Sequence, residues 1–153
     1  MGEKCKRDAC YLSKNASMKM NNKSKRMIRD TLRLFGVLLF IWLHLPHLVV
    51  YNFSKDCRVK IISDLERMRR QTDLNLPTVL FLLYMLHTNS YYRTLFYHRV
   101  GPIRTLLIGW YRPGDKYFQI SATARIGKGM LMAHPYAIVI NAESIGDNFS
   151  CIH

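Results

Sequence analysis

The pattern of apolar and polar positions changes its period once along the chain, at the turn formed by residues 112–115 (RPGD). Before this turn, apolar residues recur at intervals of three and four, which is typical of one face of an α-helix. The clearest case is the segment KDCRVKIISDLERMRR, in which every third residue is apolar: Val59, Ile62, Leu65 and Met68. The part of the chain before residue 112 is therefore predicted to be helical.

Cap and turn residues predict where these helices begin and end. Ser54 is a candidate N-cap for the segment just described, and Pro77 suits the start of a helix over TVLFLLYMLHT. Ser90 is a candidate cap for the next helix, SYYRTLFYHRV, and Gly101 is a candidate stop. One last helical piece, PIRTLLIGWY, precedes the turn.

Beyond the turn, an aliphatic residue recurs at every sixth position, at Ile120, Ile126, Met132 and Ile138. A helix would place residues six apart on different faces, so the pattern does not fit a helix. A solenoid whose coils have three short β faces places every sixth residue at an equivalent position and buries these residues in one continuous core. We therefore predict an α+β fold with a basic flexible arm over 1–30, a helical domain over 31–112 and a partial hexapeptide-repeat domain over 113–153.

The charge of the chain implies an anionic partner or surface. The formal charge is +13, from 23 basic and 10 acidic residues, and the hydrophobic fraction of 49% is ordinary for a folded protein. Residues 1–30 hold nine of the basic residues and three of the acidic ones. Aromatic residues do not alternate with these charges as stacking platforms would, so an anionic membrane face or solubility explains the arm better than nucleic acid does.

The longest apolar run is LFGVLLFIWLHLPHLVVY, residues 34–51, which is close to the lower limit for a membrane span. His44, Pro46 and His47 are poor choices for the centre of a bilayer, although the preceding basic arm suits the cytoplasmic side. Two interpretations stay open: a buried or interfacial helix, and a true span. Because the run follows about thirty polar residues, it does not resemble a secretory signal. We expect a cytoplasmic protein, with association to a membrane left open.

Residues 122–148, ATARIGKGMLMAHPYAIVINAESIGDN, resemble the hexapeptide-repeat acyltransferases, and particularly the serine O-acetyltransferase branch. That branch shows the pattern IHPxAxIGxGxxxxHxxGIVI followed by an IGxN turn. The segment RTLFYHRVG also resembles the helical lead-in of serine acetyltransferase-like proteins from bacterial polysaccharide gene clusters, so the resemblance extends over roughly residues 90–153.

This resemblance implies a left-handed parallel β-helix behind a helical domain, assembled as a homotrimer or a larger oligomer. It implies acetyl transfer from acetyl-CoA to the hydroxyl of serine, as in cysteine biosynthesis, or of a related small acceptor. Acetyl-CoA would be a co-substrate and not a tightly bound cofactor. No cysteine–histidine cluster has the spacing of a structural zinc site, so no metal is predicted.

His134 matches the catalytic base of the family. Serine hydroxyls are protonated at neutral pH, so attack on a thioester needs a base, and imidazole can take the proton and pass it to the departing thiolate. The family places an aspartate fifteen residues before this base, where this chain has Gln119, and often another directly before it, where this chain has Ala133. Glutamine can orient the ring but brings no charge, so a weaker base is expected. The acidic residues that could replace the missing partner are Asp115, Glu143 and Asp147.

We assign no residues to CoA binding, because the basic residues near the repeats suit either CoA phosphates or a solvated face: Arg104, Arg112, Lys116, Arg125 and Lys128. The family also continues for several coils beyond the point where this chain ends, so we expect weak or no turnover from these 153 residues alone. The alternative function is therefore a truncated, non-catalytic remnant, or a protein that interacts with a membrane or a partner.

Overall fold

The computed structural model describes residues 24, 25, 27–133 and 135–152, which fall into two compact units, Met1–Leu39 and Phe40–His153. The described part of the first unit consists mainly of helix α1, Met27–Leu39. Residues 1–23 and 26 of the predicted basic arm lie outside the described residues, and residues 27–30 belong to α1. Within α1, Asp30 lies 3.8 Å from the Arg33 guanidinium, one helical turn away.

The second unit begins with five helices and continues into six short strands. The helices are α2 (Ile41–Phe53), α3 (Lys55–Arg69), α4 (Thr78–Thr88), α5 (Ser90–Val100) and α6 (Pro102–Ile108). The strands are β1 (Phe118–Ile120), β2 (Arg125–Ile126), β3 (Leu131–Ala133), β4 (Ile138–Ile140), β5 (Ser144–Ile145) and β6 (Ser150–Ile152). This combination of helices and strands confirms the predicted α+β class.

The helix ends follow local chemistry, with some differences from the predicted caps. Pro77 precedes α4, and Gly101 separates α5 from α6 with a φ of 88°, a conformation that glycine adopts without steric cost. The cap of α5 is Asn89, whose Oδ1 accepts from the Tyr92 N–H at 3.0 Å, and not the predicted Ser90. Ser54 occupies the N-cap position of α3, but its hydroxyl donates to the carbonyl of Val50 at 2.6 Å and does not cap the helix.

The described strands form three parallel pairs: β1 with β4, β2 with β5 and β3 with β6. In each pair, a strand lies beside the third strand after it in the chain. Phe118 lies opposite Ile138, Arg125 opposite Ser144 and Leu131 opposite Ser150, so partners are 20, 19 and 19 residues apart. Each pair thus joins two segments separated by about three hexads. Of the predicted core positions, Ile126 and Met132 are buried, whereas Ile120 and Ile138 are half-buried; Phe118, Met130 and Ile140 supply further buried side chains.

Gly127 lies where one turn of the chain passes directly against the next. A Cβ atom at this position would lie 2.4 Å from Oδ1 of Asp147 and 2.7 Å from the carbonyl carbon of Gly146. Gly129 meets a different requirement, because its φ of 71° is unfavourable for residues with a side chain. Both residues are therefore structural turn glycines.

Polar side chains on one face of α3 attach the helices to the strands. Lys60 donates to the carbonyl of Ile126 at 3.2 Å, and Arg67 donates to the carbonyl of Gly129 at 2.6 Å. Asp64, one helical turn from each of them, accepts from a backbone N–H of the same region. The predicted apolar stripe of α3 is therefore correct only at its C-terminal half, where Leu65 and Met68 are buried, because Val59 is 66% exposed.

Among the described helices, none is by itself long and apolar enough to cross a membrane. The successive helices α1 and α2 meet the requirement of length and composition only when they are taken together.

Candidate functional site

The predicted base, His134, lies outside the described residues. Its neighbours are described: Ala133 ends β3, in register with Ile152 of β6, and Pro135 is buried. Ala133 and Met132 line a cleft of about 310 Å³. Its opposite side is formed by the end of α4 and the start of α5, at Thr88, Asn89, Ser90 and Tyr91. The end of β3 therefore borders a mainly polar cleft against the helices.

Gln119 occupies the middle of β1, in register with Val139 of β4. Its side chain is exposed, and its closest hydrogen-bond acceptor is the carbonyl of Lys116, at 3.5 Å from Nε2. This distance is at the long limit of a hydrogen bond, so the amide is held only weakly. Gln119 can thus take another orientation without the loss of a strong contact.

Gln119 also lines a cavity that has a volume of about 550 Å³ and lies between α5, α6 and β1. A volume of this size is sufficient for a small organic ligand. The polar side chains that line it include those of Thr94, His98, Thr105, Asp115 and Lys116, and its apolar wall includes Phe118 and Ile120.

His98 in this cavity is held in a single tautomer. Its Nε2 lies 3.0 Å from the carbonyl of Ala124, which can only accept, so the proton must be on Nε2. Nδ1 is buried and has no hydrogen-bond partner within the described part of the chain. Burial, followed by the charge of Arg99, lowers the pKa of His98, so the ring is neutral at pH 7. No motif in the sequence marks His98 as a functional residue, because a single histidine in a helix has no distinguishing pattern.

Asp115 connects the cavity to the cleft beside β3. Its Oδ2 accepts from the Ser90 hydroxyl at 2.7 Å, and its Oδ1 accepts from the N–H of Tyr117 at 2.9 Å. Asp115 lines the cavity while Ser90 lines the cleft, so this one hydrogen bond lies between the two spaces. The carboxylate is already engaged by two donors and serves as the anchor of the predicted turn.

The other two acidic candidates lie on the strand region. Asp147 accepts from the N–H of Lys128 at 2.9 Å, and its carboxylate lies 3.9 Å from the Lys128 ammonium. Glu143 is exposed and follows β4. Because His134 is outside the described residues, none of the three carboxylates is assigned to it.

The basic residues considered for CoA phosphates differ in their surroundings. Arg112 donates through Nη2 to Nδ1 and to the carbonyl of His87, so it belongs to the protein interior. Lys116 lies 4.5 Å from the centre of the Tyr117 ring, and Lys128 is near Asp147. Arg104 and Arg125 have exposed side chains.

Three histidines lie close together on the buried side of α2: His44 and His47 of this helix and His87 of α4. Nε2 of His44 lies 3.1 Å from Nδ1 of His87, and the two ring nitrogens of His47 each lie 3.0 Å from a tyrosine hydroxyl, those of Tyr97 and Tyr111. Burial lowers the pKa of both His44 and His47 to about 4, so these rings are neutral at pH 7. Over residues 27–133 and 135–152 there is no group of three or more His, Cys, Asp or Glu side chains that could hold a metal ion.

Comparison with protein-family models, with curated proteins and with solved structures found no match to this chain.

Proposed function

We propose that this protein is an acetyl-CoA-dependent O-acetyltransferase of the serine O-acetyltransferase type, and that β1–β6 form the first coils of a left-handed parallel β-helix. The observation that carries the proposal is the parallel pairing of each of the first three strands with the third strand after it. Three such pairs, at spacings of 19 or 20 residues, are what triangular coils of hexapeptide repeats require. The left hand and the assembly into a homotrimer or larger oligomer follow from the family resemblance.

In the proposed reaction, the imidazole of His134 removes the proton from the hydroxyl of serine or a related small alcohol. The alkoxide oxygen forms a bond to the thioester carbonyl carbon of acetyl-CoA, and the carbon–sulfur bond then breaks. The proton passes from the imidazolium to the CoA thiolate, so that the products are the O-acetyl ester and free CoA. No other reactant is needed.

The spaces beside the strands support a small acceptor. The chain reaches His134 directly after Ala133, which lines the cleft of about 310 Å³, and Gln119 lines the cavity of about 550 Å³. Gln119 can accept a hydrogen bond from an imidazole N–H, but it cannot stabilise the positive charge of the ring in the transition state. We therefore propose that His134 is the base and that it is weaker than its counterpart in the family.

The test is thiol release from acetyl-CoA by the protein isolated from its natural source, after its intact mass has been measured. L-serine and other small alcohols are supplied as acceptors. The proposal predicts acceptor-dependent release that falls to background in His134→Ala. His98→Gln is the matched control, because it removes the other imidazole near the strands, and it should keep most of the turnover.

Two results would contradict the proposal. Turnover that His134→Ala leaves unchanged would remove the assigned base, and turnover that requires His98 and not His134 would move the reaction to the cavity between α5 and α6.

A further inference from the structure

Helix α2 buries polar side chains and exposes large apolar ones, which is the reverse of the usual arrangement of a surface helix. Its buried residues are His44, His47 and Tyr51, whereas its large apolar residues face outward. The exposed set is Ile41, Trp42, Leu45, Val49 and Phe53, with Trp42 exposed by 61% and Phe53 by 79%. Amphipathic helices of globular proteins normally place their apolar stripe against the core. The outward apolar face of α2 therefore needs an explanation.

Helix α6 and the turn that follows it repeat this arrangement. Ile103, Leu106, Leu107 and Trp110 are exposed by 80%, 79%, 68% and 80%, and they have the spacing i, i+3, i+4, i+7 of a single helical face. Ile108, on the opposite side, is buried. Helices α2 and α6 belong to the same compact unit and contact each other. We call the exposed apolar residues of both helices, with Trp110, the α2–α6 face.

The polar side of α2 is hydrogen-bonded to other parts of the protein. These bonds determine which side of the helix can contact a membrane. The ring nitrogens of His47 lie within hydrogen-bond distance of the hydroxyls of Tyr97 and Tyr111. The Tyr111 hydroxyl donates its proton to the carbonyl of Leu43. To cross a bilayer, α2 would have to expose two buried histidines to hydrocarbon and break these bonds, which is costly. Held as it is, α2 can lie on a surface with its apolar side outward.

Charge identifies the surface that would cover this face. Residues 1–30, joined to α2 only through the short remainder of α1, carry nine basic and three acidic residues, and the whole chain has a formal charge of +13. Basic segments next to an apolar helical face are attracted to anionic lipid headgroups, and tryptophan favours the boundary between headgroups and acyl chains. A second copy of this chain would instead bring a second basic arm to the same place.

We propose that the α2–α6 face docks on the surface of a bilayer that contains anionic phospholipids, to which the formal charge of +13 attracts the chain. The protein lies on the membrane and does not span it. This inference is independent of the proposed acetyl transfer, because it requires neither His134 nor acetyl-CoA.

The chain supplies its own probes, since its two tryptophans, Trp42 and Trp110, are both in the α2–α6 face. The experiment measures tryptophan fluorescence of the full chain mixed with vesicles of phosphatidylcholine alone, or of phosphatidylcholine with phosphatidylglycerol, some of which carry lipids brominated on the acyl chain. We expect a blue shift and quenching with the anionic vesicles, weakened by added salt, and little change with phosphatidylcholine alone.

The variant Ile103→Gln/Leu106→Gln/Leu107→Gln should bind anionic vesicles at least about tenfold more weakly, because it removes buried apolar area from the interface. Its matched control is Val59→Gln/Val139→Gln, which changes two apolar residues, each 66% exposed, on other elements. This control should bind like the unchanged protein. Far-UV circular dichroism of both variants establishes that the helices are retained.

Three results would overturn the inference. One is the absence of quenching by brominated anionic vesicles, and another is quenching that the α6 substitutions leave unchanged in a folded variant. The third is a concentration-dependent oligomer without vesicles that the α6 substitutions dissociate, since a second copy would then cover the face. Vesicle binding is measured without substrate, so its failure and the failure of acetyl transfer are separate outcomes.

Discussion

The guanidinium of Arg99 holds the carboxylate of Asp64 through two hydrogen bonds, Nε to Oδ2 at 3.0 Å and Nη2 to Oδ1 at 3.2 Å, and both side chains are almost completely buried. The remaining donors of Arg99 contact the carbonyls of Ile126 and Gly127, both at 2.6 Å. Oδ1 of Asp64 also accepts from the N–H of Met130 at 2.7 Å. This pair joins α3, α5 and the segment after β2, and so sets the position of the strands against the helices.

Removal of the charge on Asp64 should destabilise the protein strongly. Asp64→Asn keeps the shape of the side chain but leaves the Arg99 cation buried without a counter-ion, and it turns an amide N–H toward guanidinium donors. We expect the free energy of unfolding to fall by about 3–5 kcal/mol, measured by urea denaturation. Glu66→Gln, an exposed carboxylate on the same helix, should change it by less than about 0.5 kcal/mol. Equal effects of the two variants would show that the pair does not hold the two regions together.

The Arg99–Asp64 pair also illustrates what the sequence could and could not predict. The six-residue period, the turn at residues 112–115 and the stop at Gly101 depend on neighbours in the chain, and each was predictable from local pattern. The partners of Lys60 and Arg67 are backbone carbonyls more than sixty residues away, and carbonyls have no sequence signature. A pattern of apolar residues therefore placed the buried face of α3 partly on Val59, where the helix meets solvent.

For the same reason, the sequence did not predict which side of α2 faces the protein or which residues line the cavity beside β1. The apolar run of residues 34–51 predicted a buried, interfacial or spanning helix, but only the tertiary contacts of His44 and His47 show which side faces the protein. The cavity beside β1 is formed by α5, α6 and the turn before the strand, and no motif marks such a meeting of elements.

Acid should destabilise the protein through the buried histidines. The pKa of His44 and of His47 is about 4 in the folded chain against an ordinary value of 6.5, so between these values the unfolded chain binds more protons than the folded one. The free energy of unfolding should therefore be unaffected by these groups above pH 6.5, and should fall as the pH is lowered from 6.5 to about 4. Urea denaturation at a series of pH values measures the slope.

The variant His47→Gln isolates this effect, since glutamine can bond to Tyr97 or Tyr111 but does not titrate in this range. Its slope between pH 6.5 and about 4 should be shallower than that of the unchanged protein, even if its stability at pH 7 is lower. Parallel curves for the two proteins would mean that His47 is not a source of the acid sensitivity.

A carboxylate at position 119 should strengthen the proposed base. In Gln119→Asp, a negative charge replaces a neutral amide whose one contact, with the carbonyl of Lys116, is weak, so the cost in stability should be small. If His134 is the base, the carboxylate stabilises the imidazolium, and kcat should rise by at least about tenfold. Gln119→Asn is the control, because it shortens the side chain equally without adding charge, and it should not raise kcat. An equal kcat in the two variants would show that the residue at position 119 does not act on the base.

The close approach of the segments that follow β2 and β5 can be tested at Gly127 and Gly146, one glycine in each segment. Gly127→Ala would place a methyl group 2.4 Å from Oδ1 of Asp147 and 2.7 Å from the backbone of Gly146, and the backbone contact cannot be relieved by a side-chain rotation. The two segments would have to separate, and we expect a loss of about 1–3 kcal/mol in the free energy of unfolding. Gly146→Ala is the matched control, because a Cβ atom there would meet nothing within 4 Å. If Gly127→Ala were as stable as Gly146→Ala, the segment after β5 would not lie against the segment after β2, and the acyltransferase proposal would lose the strand pairing on which it depends.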